Sequence, residues 1–273
     1  MVDVTESTPR NPAPMCAGAA VMMLALFLAG TGCDHSIVYH QTTPREGPRR
    51  AVLVLIGLRQ SARGWREMRR YYPSLGYDVY IPEYYSRDGL EATRRNLSRF
   101  IEEHHLAEYD ELYVFDYILG AWVFNQLLAE QDLPNLRAII IDRSPMQEDA
   151  SRIVVGHIPH TIHTFYGDTV REFSETPYPP VSGEGRHIGI IVECRATPYA
   201  RRHRDELTPV EGEGWLPEGL GQPDPDDVMY VHLHHDEMYY SFDQIGEEIR
   251  SFFRNGRFTE GARRQACHEN PFD

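Results

Sequence analysis

Cations, cysteines and dividing linkers are what this sequence has little of. Lysine and arginine together number 27 against 41 aspartates and glutamates, a formal charge of −14 over 273 residues. A chain so poor in clustered cations is unsuited to phosphate backbones, which argues against a nucleic-acid partner. Only four cysteines occur. Cys16 lies in an apolar N-terminal run and Cys33 directly follows it, so Cys194 and Cys267 alone serve the remaining chain. They leave open one disulfide or two free thiols, and are too few to build a metal site by themselves. No linker cuts the chain in two and no internal repeat appears, so the length is read as one substantial core. Apolar content of 41% and charged content of 25% fit an ordinary soluble domain.

The N-terminal run from Met15 to Gly32, MCAGAAVMMLALFLAGTG, carries no charge. With Cys33 behind it, it resembles a bacterial lipoprotein signal, the lipobox being Gly30-Thr31-Gly32-Cys33. A leucine is usual where Gly30 stands, and the preceding segment has Arg10 as its one cation. The resemblance implies a leader over 1–32 and lipid on Cys33. It also implies a membrane as partner, with the body on the periplasmic, extracytoplasmic side of the cell envelope. The run is also near spanning length, so an uncleaved anchor is the other reading. Residues 33–50, polar and holding Pro44 and Pro48, are read as a tether.

From residue 51 the pattern changes. AVLVLIG (51–57) is a continuous apolar run, as expected of a strand buried on both faces. YDVYIPE (77–83), DELYVF (110–115), LRAIIID (136–142), HIGIIVE (187–193) and VMYVHLH (228–234) complete six strands. Helical stretches separate them: one holding Trp65 and Met68, one over 90–105 after an Asp88 cap, and an apolar one over 118–131. A last helix follows with Phe242, Ile245, Ile249 and Phe252 on one face. The alternation predicts an α/β fold, a mostly parallel sheet of about six strands flanked by helices. The domain is placed at 51–256. Residues 145–186 are too long for a crossover and are expected to form a cap; a second insertion spans about 199–227. The tail, 257–273, is polar and expected to be loose.

The stretch VLIGLRQSARGWREMRRYYPSLGYDVYIPEY resembles the start of an α/β-hydrolase core, with Gly57, Trp65, Gly76, Tyr77, Val79 and Pro82 fitting its layout. The resemblance implies a G-x-S-x-G nucleophile elbow after the third strand. At that place stands Asp116-Tyr117-Ile118-Leu119-Gly120. Ile118 takes the nucleophile position, where an aliphatic side chain cannot attack a carbonyl. A β-branched residue also resists the positive φ of an elbow, so the turn is expected to have relaxed. Gly57, Leu58 and Leu119 would form the oxyanion-loop region. His235 takes the histidine position with His234 behind it. Asp142 takes one of the acid positions, and Glu193 lies somewhat early for the other. His235 and Asp142 are thus read as a vestigial pair.

Replacement nucleophiles are conceivable at Asp116, Tyr117 or Ser144. The plainer readings are a helix-capping carboxylate for Asp116 and a turn hydroxyl before Pro145 for Ser144. His157, His160 and His163 in GHIPHTIH could ligate a metal, but i, i+3, i+6 spacing fans them around a helix that Pro159 interrupts. No metal and no cofactor is expected. The expected function is binding or assembly, with an unidentified protein or small-molecule ligand, by a catalytically degenerate fold. The alternative is an active ester or acyl hydrolase with a displaced nucleophile and His235 as base.

Overall fold

The structure, a computed structural model, describes residues 36–41, 47–58, 60–208, 210–267 and 271–272. The leader, Cys33 and part of the expected tether lie outside the described residues. Seven strands form one sheet: β1 (Ile37–Tyr39), β2 (Arg50–Leu55), β3 (Asp78–Ile81), β4 (Glu111–Asp116), β5 (Leu136–Arg143), β6 (His187–Glu193) and β7 (Asp227–Val231). Their order is β1-β3-β2-β4-β5-β6-β7. Only β1 runs antiparallel, pairing Ile37 with Ile81 at one edge. It lies within the stretch read as a tether, and three residues are too few to carry a periodic signal.

The parallel strands are buried on both faces, as their unbroken apolar runs require. Along β2, Val52 and Val54 face one layer, while Leu53 and Leu55 face the other. The first layer is covered by α1 (Ala62–Ser74), through Met68 and Tyr72, and by the helix of the C-terminal segment. The second is covered by α2 (Leu90–Glu103) and α3 (Ile118–Leu128). Asp88 does not cap α2. The Leu90 N–H donates instead to Glu172 Oε2 at 2.8 Å, so a carboxylate distant in sequence supplies the N-terminal acceptor.

Three helices fill the expected cap: α4 (Pro145–His157), α5 (Pro159–Tyr166) and α6 (Thr169–Glu175). The second insertion holds α7 (Pro198–Arg202) and a short turn at Gly212–Trp215. There Trp215 and Leu220 join Met146, Ile190 and Tyr230 in a third apolar cluster. After β7 come α8 (His235–Met238) and α9 (Phe242–Asn255), the latter burying Ile245, Ile249 and Phe252 as its spacing predicts.

The tail is not loose. Phe258 and Cys267 are buried, Asp227 accepts from Phe258 N–H and from Arg264, and Cys267 is disulfide-bonded to Cys194. Polar composition misled because the tail's partners are the sheet edge and one covalent bond. Among the described residues, no helix is long and apolar enough to cross a membrane.

Candidate functional site

Three neighbouring parallel strands carry carboxylates at their C-terminal ends: Asp116 is the last residue of β4, Asp142 the last but one of β5 and Glu193 the last of β6. Each ends a run of apolar residues, and each is fully buried. His235, at the start of α8, enters among them. Its Nδ1 lies 2.8 Å from Glu193 Oε1 and 3.5 Å from Asp142 Oδ2. Its Nε2 lies 3.2 Å from the hydroxyl of Tyr239, one turn further along the chain. Tyr239 is 1% exposed and stacks on the Tyr117 ring at 4.0 Å between centroids. A Cβ on Gly57 would lie 3.8 Å from the same hydroxyl, so the two residues are neighbours.

The charge states follow from this packing. Burial pushes the Glu193 carboxyl well above the usual range, and the neighbouring charge of Asp142 adds to it. Burial raises Asp142 as well, partly offset by His235. For His235, burial opposes the charged form, yet the two carboxyls outweigh it and hold the imidazole well above its ordinary value. The packing therefore favours the imidazolium, in which Nδ1–H donates to Glu193 and Nε2–H to Tyr239. One proton retained between the two carboxyls leaves a single ion pair, since two buried anions beside one cation would leave a charge uncompensated.

The start of α3 completes the surroundings. Tyr117 precedes it with φ −79° and ψ 152°, and Ile118 is its first residue. Among the described residues, His105 is the one non-glycine with positive φ, so none of Asp116, Tyr117 and Ile118 is strained. Gly120 packs directly against β2: a Cβ there would lie 2.3 Å from the Leu55 carbonyl oxygen. A Cβ on Gly57 would lie 3.4 Å from Leu119 Cβ, so these two residues are neighbours.

No protein-family model matches the sequence, and no curated protein matches it. Solved structures do. The mature form of a lipase from Bacillus licheniformis superposes with a TM-score of 0.52 at 10% identity, over 82% of this chain and 98% of that one. An α/β hydrolase enzyme from the metagenome of lagoon sediments at Mar Chica, Morocco, gives 0.50 at 16% identity, over 80% and 94%. The fold is that of the α/β-hydrolases. At these identities the likeness concerns architecture, and chemistry has to be argued from the side chains.

Within that fold, β4 and α3 are the strand and helix that flank a nucleophile elbow. Gly120 lets helix meet strand, and Ile118 sits in ordinary helix, as expected of a relaxed turn. Gly57 and Leu119, expected in an oxyanion-loop region, are adjacent; Leu58 packs on the α2–α3 side of the sheet. The space before the imidazole is filled by Tyr239 over Tyr117, rather than by Ile118.

His235 and Asp142 are brought together as expected. Glu193, read as too early, is the closer acid. It ends β6 opposite Val231 of β7, the strand that leads into His235. A lone carboxylate closing the run IIV was the available signal.

The other candidates resolve differently. Asp116 does not cap α3; neither carboxylate oxygen has a hydrogen-bond partner, and burial drives its carboxyl well above the usual range. Ser144 caps α4, accepting from Gln147 N–H. The Tyr117 hydroxyl lies 3.4 Å from that of Tyr72 and donates to the Met238 carbonyl at 3.5 Å. His234 closes a capping box with Glu237. The three cap imidazoles do not converge: His157 turns to Glu206, while His160 and His163 are exposed.

Proposed function

We propose that this chain uses an α/β-hydrolase fold without hydrolysing, as a lipid-tethered protein on the extracytoplasmic side of the cell envelope that acts in binding or assembly. The observation that carries the non-catalytic reading is the hydroxyl facing His235 Nε2. A triad histidine must be neutral at rest so that it can take the nucleophile's proton. His235 is held protonated by two carboxyls, and the group before it is a phenol. Burial, aided by the charges of Asp142 and Glu193, holds that phenol well above its ordinary value. Tyr239 also closes over His235 Nε2, with its hydroxyl beside Gly57 of the expected oxyanion loop. A serine–lysine arrangement is ruled out because the sequence contains no lysine.

The tether rests on the uncharged run before Cys33. The Cys194–Cys267 disulfide supports an oxidising compartment.

The test is a fluorophosphonate probe together with short-chain nitrophenyl esters, applied to the full chain. The expected result is no labelling beyond that of heat-denatured protein and no turnover, with Tyr239→Phe indistinguishable from the parent. Labelling of a serine or of Tyr239, or turnover that Tyr239→Phe abolishes, would establish a displaced nucleophile with His235 as base. Palmitate incorporation in a bacterial host, lost in Cys33→Ser, checks the tether.

A further inference from the structure

We propose that His157, His203 and Glu206 form a surface site for a divalent transition-metal ion, with zinc the ion whose chemistry fits best. His157 ends α4 of the cap. His203 directly follows α7, and Glu206 lies one turn on, where its N–H donates to the His203 carbonyl at 2.9 Å. The pair His203–Glu206 is thus a chelate prepared by the local backbone, to which the cap contributes a third donor from 46 to 49 residues away in sequence.

His157 Nε2 lies 2.5 Å from Glu206 Oε2, and His203 Nδ1 lies 2.9 Å from Glu206 Oε1. All three donors lie within 4.8 Å of one another. Donors around a tetrahedral zinc at about 2.0–2.2 Å stand about 3.3 Å apart, so a small opening of this triangle admits the ion. Two imidazoles and one carboxylate suit zinc and its transition-metal neighbours, and suit calcium and magnesium poorly. A fourth position faces solvent and would take water.

The ring of Tyr199, 4.6 Å from that of His203, supports the imidazole from behind. Both imidazoles already lean on Glu206, whose carboxyl is held below its usual range by those two contacts. The ion would replace these hydrogen bonds with stronger bonds and clamp the cap to the second insertion. The other histidine–carboxylate cluster, around His235, is a poor competitor: Glu193 and Asp142 are sealed, and Tyr239 covers Nε2.

The experiment is calorimetric titration of zinc into the chelator-treated full chain, repeated with cobalt to read the visible absorption of a low-symmetry site. One equivalent of zinc should bind. His157→Ala and His203→Ala should each weaken it about tenfold or more, whereas His160→Ala and His163→Ala should leave it unchanged. Zinc should raise the Tm of the parent but not of the double variant His157→Ala/His203→Ala, whose circular dichroism should match the parent's because both side chains are at or near the surface. No zinc-dependent heat, or equal affinity in the parent and the double variant, would overturn the site.

Discussion

Among the described residues, two clusters bring three histidine and carboxylate groups together, and they show what burial does to the same chemical groups. Around His235 the carboxyls of Asp142 and Glu193 are fully enclosed, so one proton is retained between them and the imidazole favours its charged form. Around Glu206 the imidazoles of His157 and His203 meet a carboxylate in contact with water, and there the carboxyl is held below its usual range. The first arrangement is a locked ion pair whose free ring nitrogen is already occupied. The second is open, exchangeable and accessible to an incoming ion. In a low dielectric an unpaired charge is costly, while at the surface solvent screens it.

The sharpest way to break this comparison is to remove the cation from the enclosed cluster. His235→Ala leaves two buried carboxyls with no counter-ion and should cost about 3–5 kcal/mol, lowering Tm by about 10 °C. Chemical denaturation read by tryptophan fluorescence measures it. The sign with pH follows from the raised folded value: the contribution of His235 is complete below about pH 6.5 and declines as pH rises through the folded value. The gap between parent and variant should therefore narrow in alkaline buffer. A gap that widens there would mean that the ring is neutral.

Asp116 sharpens the same point with no partner at all. Its folded value is raised, so the unfolded chain ionises first as pH climbs, and the parent loses up to about 1.4 kcal/mol per pH unit between the unfolded and folded values. Asp116→Asn removes that loss. Its Tm relative to the parent should rise as pH climbs above about 4, in a series of thermal melts. A constant offset would show that the carboxyl is ionised in the folded chain. The smallest effect belongs to the open cluster: without metal, His157→Ala should leave the unfolding midpoint unchanged, because exposed ion pairs contribute little.

Much of the architecture was legible because it rests on local patterns. Runs such as AVLVL and AIII can be satisfied only by strands buried on two faces, and the spacing of Ile245, Ile249 and Phe252 can be satisfied only by an amphipathic helix. The failures share a cause. Strand β1 is three residues long and is defined by its partner, β3. Asp88 looked like a cap, but Glu172 reached the same N–H from the cap insertion. The tail looked loose, but Cys267 and Phe258 attach it to the end of the sheet.

In the site, the meeting of His235 with Asp142 and the place of Ile118 at the start of a helix could be read from position along the chain. Glu193 could not, because its proximity to His235 depends on which residue of β7 it pairs with.

The sequence alone determined that Ile118 cannot attack a carbonyl and that six apolar runs must stack as a sheet, since both follow from side-chain chemistry and the period of the backbone. Only the tertiary structure decided that a second carboxyl would join His235, that Tyr239 would close over it, and that His157 would meet His203 and Glu206. Those outcomes depend on distances across strands and loops remote in sequence. Proximity, and the loss of solvent that goes with it, sets whether an imidazole is a base, a buried cation or a free ligand.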